Sequence, residues 1–143
     1  MGLDMFLNRV KKPKKVVNKK LMILRGLKPA KEKYGKAEQI GYWRKANHIH
    51  AWFVDNCGDG EDSCQQIKVS KEQLQLLLEA VNNVLKNKEL AEQLLPTQEG
   101  FFFGDTDYDS WYYDSLKDTK KIITEAINET DWDSEEVIYQ ASW

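Results

Sequence analysis

The chain has 143 residues, 41% of them hydrophobic, and a formal net charge of −2; that is the length and balance of one ordinary globular domain. Such a length buries roughly 68–70% of the unfolded surface, so a core needs neither a metal nor a disulfide. No apolar run reaches the ~18–20 residues of a membrane span, the first residues lack a signal peptide's apolar stretch, and a cytosolic location is expected.

The small net charge hides a split. Residues 1–45 carry 14 Lys/Arg against 3 Asp/Glu, and residues 46–143 carry 7 against 20. A basic arm for nucleic acid is one reading; mutual complementation of the two halves within the fold is the other. The near-cancelling sum favours complementation, because it leaves no long-range attraction to a polyanion. Cys57 and Cys64 flank an acidic loop and are expected as reduced thiols.

In chain order, Leu3–Val10 alternates apolar and polar positions and predicts a strand. A lysine-rich insertion follows at about 11–37, broken by Pro13 and Pro29, with Leu21–Leu24 as its apolar cluster. Glu38–Tyr42 predicts a short strand leading into a helix over about 43–56. Asp55–Ser63 is a loop by its Gly and Asp content. It fits a calcium loop only at Asp55, Asp59 and Gly60, with Cys57 and Gln66 where ligands are required. Gln66–Val69 predicts a strand. Ser70 and Gln73 then form a capping box for a helix over about 71–87, striped by Leu74, Leu77, Leu78, Val81, Val84 and Leu85. A short helix over 88–95 stops at Pro96.

Phe101–Phe103 reads as a buried strand, and Thr106 as the cap of a helix running to about 129, with Asp107 and Asp109 at the positive end of its dipole. Asp131–Glu135 is a turn, and Glu136–Trp143 alternates as a last strand. The expected fold is α+β: three main helices and one short helix on a small, largely antiparallel sheet that includes both terminal strands. A single domain, 1–143, is expected.

The densest chemistry lies in Gly41–Val54, GYWRKANHIHAWFV. On a helical wheel His50 falls inside the apolar arc, whereas His48 lies about 160° away on the polar face and is expected at the surface. The two histidines then cannot clamp one metal. His50 is either a core histidine bonded to a backbone carbonyl or a donor at a pocket floor. Arg44 and Lys45 fall in the predicted first turn, where a cation opposes the helix dipole. Either they pair with Asp105, Asp107 and Asp109, or they hold an anion together with free backbone N–H groups. A half-exposed ring beside Arg44 would stack a base. The candidate ligand-binding set is Trp43, Arg44, Lys45, Asn47, His50, Phe103, Asp107 and Tyr113. No catalytic set is expected, nor a metal or cofactor, and no phosphate loop or hydrolase motif is present.

GYWRKANHIHAWFV, ELAEQLLPTQEGFFFGDTDYDSWYYDSL and the closing YQASW together resemble a family of small uncharacterised proteins of bacteriophages and prophages, over nearly the full length. The lysine-rich stretch is longer than the corresponding connection. The resemblance implies a phage accessory role in the host cytosol, such as antagonism of host defence.

The leading expectation is a non-enzymatic binder of a phosphate-bearing ligand, a nucleotide or a nucleic-acid end. One alternative is a protein–protein inhibitor of a host protein, whose acidic C-terminal two-thirds mimics nucleic acid. Another is a metal-dependent phosphoesterase using Asp105, Asp107 or Asp109 with His50 as acid/base. Five tryptophans leave room for a homodimer through aromatic contacts.

Overall fold

The computed structural model describes residues 2–13, 36–100 and 103–143; most of the lysine-rich insertion, and Phe101 and Phe102, lie outside the described residues. The fold is α+β. Four strands, β1 (Asp4–Lys11), β2 (Glu38–Arg44), β3 (Ile67–Val69) and β4 (Glu135–Ser142), form an antiparallel sheet in the order β2-β1-β4-β3. The alternation read in Leu3–Val10 sets the inner face. Leu3, Met5 and Leu7 are fully buried, and Met5 and Leu7 stand opposite Ala141 and Tyr139 of β4. β1 therefore lies at the centre, paired on one side with β2 and on the other with β4 from Asp4↔Ser142 to Lys11↔Glu135.

The described helices are α1 (Asn47–Cys57), α2 (Lys71–Lys86), the single turn α3 (Ala91–Leu94) after a 3₁₀ turn, and α4 (Ser110–Glu129). Leu74, Leu77, Val81 and Val84 recur at helical spacing on α2 and are all fully buried, in one core with Leu116, Ile123 and Ala126 of α4 and the inner sheet face. The Ser70–Gln73 capping box forms in full, with Gln73 N–H donating to Ser70 Oγ and Ser70 N–H to Gln73 Oε1. Among the described residues no helix is long and apolar enough to cross a membrane.

Gly41 shows how tightly α4 lies on the sheet. A Cβ at this position would stand 2.5 Å from Ile122 Cγ2 and 3.3 Å from Leu7 Cβ. Neither neighbour is the free end of a flexible chain. Gly41→Ala should therefore cost about 1–3 kcal/mol through overpacking, read as a lowered midpoint in urea unfolding.

Three expectations need correction. The helix placed over 43–56 begins only at Asn47, because Trp43 and Arg44 continue β2 opposite Met5 and Asp4. Each strand residue adds a cross-strand contact on β1, and that outweighs the helical pattern of the stretch. No strand forms at Phe103, which is buried in irregular chain. Thr106 does not cap α4: Asp109 does, its carboxylate accepting from Tyr112 N–H. Aspartate and threonine both suit that position, and Gly104 at φ +86° holds the preceding residues out of helical geometry.

Candidate functional site

The junction of β2 and α1 is made by one strained residue. Lys45 has φ +55°, a left-handed conformation costing about 1–2 kcal/mol for a residue with a Cβ. The kink is held by Lys45 N–H donating to Leu3 O at 2.7 Å, and the loop at Gly104 closes over it. A Cβ on Gly104 would come within 3.0 Å of Lys45 Cβ, so both the close approach and its positive φ require glycine.

The expected dipole misfit of Arg44 and Lys45 is overturned, since neither lies in a helix. Arg44 ends β2 with its side chain 60% exposed and Asp4 at 3.9 Å; the same Asp4 oxygen accepts the Tyr42 hydroxyl at 2.6 Å. Among the described residues no ion pair joins Arg44 or Lys45 to Asp105, Asp107 or Asp109.

Both cations instead open on concave surface. One concavity of about 280 Å³ is lined by Tyr42, Trp43, Arg44, Ala46 and, from α4, Trp111, Asp114, Ser115 and Asp118. A second, of about 330 Å³, is lined by Arg44, Lys45, Gly104, Asp105 and Trp111. The two share Arg44 and Trp111 in their linings, and these adjoining concavities are together called the groove. A larger concavity of about 480 Å³ lies elsewhere, between Lys12, Lys68, the start of α2 and Trp132; there Lys68 pairs with Glu136 at 3.7 Å and Lys12 donates to the Trp132 carbonyl.

The groove's floor is a row of buried polar bonds. Ser115 and Thr119, one turn apart on α4, donate their hydroxyl protons to the carbonyls of Tyr112 and Ser115. Their oxygens are then left to accept from His48 Nε2 at 2.8 Å and from Trp43 Nε1 at 2.8 Å. This fixes His48 with its proton on Nε2 and leaves Nδ1 buried without a partner. The expectation of a surface His48 is thus wrong: it is 1% exposed and its ring lies 4.3 Å from that of Tyr112. Burial alone pulls its pKa down to about 3. The wheel failed because the polar side of α1 faces α4, so the helix is buried on two sides.

Asn47 joins the groove's two walls. Fully buried, it donates through Nδ2 to Phe103 O at 3.1 Å and Asp105 O at 2.9 Å, and accepts from Gln98 N–H at 2.8 Å. Its amide is fully used in holding the 98–105 loop beside α1, so its part in the site is structural.

His50 is also spent inward. Nε2 donates to Asp62 at 2.9 Å and Nδ1 accepts the Tyr139 hydroxyl at 2.6 Å. Asp62 also takes the indole N–H of Trp143, so the network ties the 58–66 loop and the last strand to α1. Burial lowers the His50 pKa, with Asp62 opposing. Both nitrogens are occupied by side chains rather than by a backbone carbonyl, which removes the acid/base partner from a phosphoesterase reading.

Of the other predicted residues, Phe103 contributes its carbonyl to Asn47 and its ring to His50 and Trp143. Tyr113 faces the Lys88 ammonium, 4.7 Å from its ring. Asp107 lines neither part of the groove, although its carboxylate oxygens come within 4.8 Å of those of Asp105 and Asp109. Two of these carboxylates accept local backbone N–H groups, of Asp107 and Tyr112.

The lining residues absent from the candidate set are Tyr42, Ala46, Gly104, Asp105, Trp111, Asp114, Ser115 and Asp118. Four of them lie at 111, 114, 115 and 118, one face of a helix. An aromatic residue within an otherwise polar helical stripe was the available signal. Compared with protein-family models, curated proteins and solved structures, the chain matches none.

Proposed function

We propose that the chain is a non-enzymatic binder of a small phosphate-bearing ligand, a nucleotide or a nucleic-acid end, held in the groove between the β2–α1 junction and the start of α4. The observation that carries this is the adjacent pair Arg44 and Lys45. They are consecutive cations at the end of β2, the second of them on a strained turn; Arg44 has Asp4 at 3.9 Å, neither is ion-paired to Asp105, Asp107 or Asp109, and both line concave surface with Trp111. Strain of this kind persists where the surroundings over-determine it, and it clusters at binding sites. A guanidinium and an ammonium together suit phosphate oxygens, the first by its fork and the second as a point charge.

The motifs that resemble phage and prophage proteins supply both walls: GYWRKANHIHAWFV provides Tyr42 to Ala46, and FFFGDTDYDSWYYDSL provides Gly104, Asp105 and Trp111. That coincidence supports an accessory role in which the ligand is a phosphate-bearing signal of the host, with sequestration as the means of antagonising a defence.

Titration with inorganic phosphate and pyrophosphate, followed by thermal unfolding, tests the site. Occupancy at 100 times Kd should add about 2.7 kcal/mol of apparent stability. Lys45→Gly should separate the two roles of this residue: the unliganded protein gains stability, by up to about 1 kcal/mol from relief of the left-handed conformation, while the phosphate-induced shift shrinks. An undiminished shift in Lys45→Gly and in Arg44→Ala would sink the assignment.

A further inference from the structure

Resting on that phosphate-site reading, we propose that the ligand is a nucleoside monophosphate: one phosphate on Arg44 and Lys45, and a planar base in the slot walled by Tyr42 and Trp111. Three observations point to this class.

The first is the distribution of charge. The cations stand together at the Lys45 end, whereas Asp114 and Asp118 line the other end and Asp105 flanks the pair. One phosphate is matched there. A second or third along the groove would lie against carboxylates, and like charges in a concave site repel. A polynucleotide strand is disfavoured on the same ground.

The second is the pair of rings. Tyr42 and Trp111 line the same concavity from opposite elements, β2 and α4, and each is 44% exposed. They are two of five large hydrophobic side chains left exposed among the described residues. The Tyr42 hydroxyl is fixed on Asp4, which anchors one wall. The Tyr42 ring packs on Phe6, centroids 5.4 Å apart, so the exposed Trp111 supplies the aromatic surface that suits a flat ring.

The third is the supply of hydrogen-bonding groups. Within the slot the Ser115 hydroxyl and the Trp43 indole N–H are consumed by the buried row beneath. The side-chain groups left to read a ligand there include the Trp111 indole N–H, which only donates, and the carboxylates of Asp114 and Asp118, which only accept; Asp114 also has Lys117 at 4.0 Å. The carboxylates' partners must be donors, as ribose hydroxyls and the exocyclic amino groups of adenine, guanine and cytosine are. The concavities, about 280 and 330 Å³, lie near the lower end of ligand pockets, roughly 300–1,000 Å³, a size for one nucleotide rather than a chain of them.

Calorimetric titration of the full chain with AMP, CMP, ribose 5-phosphate, inorganic phosphate and a 5′-phosphorylated tetranucleotide tests the class. AMP and CMP should bind at least tenfold more tightly than inorganic phosphate, and more tightly than ribose 5-phosphate or the tetranucleotide. Trp111→Ala, at an exposed position, should bring the affinity for AMP down to that for inorganic phosphate measured on the same variant. Asp118→Asn should weaken AMP several-fold without affecting phosphate. Should phosphate bind as tightly as AMP, the nucleoside assignment falls and the phosphate site stands. Tighter binding of the tetranucleotide than of AMP overturns the single-nucleotide class. No binding by any of the five removes both readings.

Discussion

Asn47→Leu should cost about 3–5 kcal/mol of unfolding free energy, the largest loss expected from any single change at the site. The substitution strands three backbone groups, the carbonyls of Phe103 and Asp105 and the N–H of Gln98. Each group left buried without a partner costs about 1–3 kcal/mol; partial exposure of the Gln98 and Asp105 ends keeps the sum below the maximum. Asn47→Asp should do no better. It keeps an acceptor for Gln98 but turns a carboxylate oxygen toward two carbonyls. Urea unfolding followed by tryptophan fluorescence measures the loss, and hydrogen exchange of the 98–106 amides should rise selectively in milder variants such as Asn47→Ser. A loss under 1 kcal/mol in Asn47→Leu would show that the loop is held by other contacts, chiefly Thr97 with Thr106 and Tyr108.

The second large effect is on pH dependence. His48 has a folded-state pKa of about 3 against about 6.5 unfolded. Between those values the unfolded chain binds a proton that the folded chain refuses, so stability rises with pH and is lost as pH falls from about 6.5 toward 3. The slope from this residue alone is about 1.4 kcal/mol per pH unit. His50, also lowered by burial, adds to it with the same sign. The side chains facing His48, Tyr112 and Ser115, do not titrate in this window, so the difference between wild type and variant isolates the histidine. His48→Phe keeps a ring against Tyr112 and removes the unpartnered Nδ1. It should leave stability at pH 7.5 within about 1 kcal/mol of wild type and make the protein more resistant at pH 4.5. Parallel stability–pH curves for the two proteins would contradict the low pKa.

How far these features can be read from sequence varies with the kind of signal. The α2 helix was legible to within a residue at its C-terminus, because the Ser70–Gln73 box and the Leu74–Val84 stripe are local and agree. The terminal strands were legible from alternation, and their meeting in one antiparallel sheet followed from their placement at the two ends. The start of α1 was not. Trp43 and Arg44 were read with the helical pattern that follows them, and what decides their state is β1, some forty residues upstream. Once that boundary moved, the dipole argument for Arg44 and Lys45 lost its basis, although the two cations do border a groove. His48 misled for a related reason. A wheel distinguishes apolar from polar positions, but a polar position is also buried when the neighbouring helix offers Ser115 and Thr119 as partners. Trp111 was passed over because an aromatic residue in a helix is usually read as core.

The central place of β1 has a consequence for how the chain reaches this state. Its inner residues Met5 and Leu7 are sheltered on one side by β2 and on the other by β4, which lies more than a hundred residues further along the chain. Pairing Asp4 with Ser142 closes a loop of nearly the whole chain, and such long-range pairings put a domain at the slow end of folding rates. Until β4 docks, β1 presents an open edge to any other strand it meets. The nascent protein is therefore most exposed to mispairing in the interval before β4 arrives.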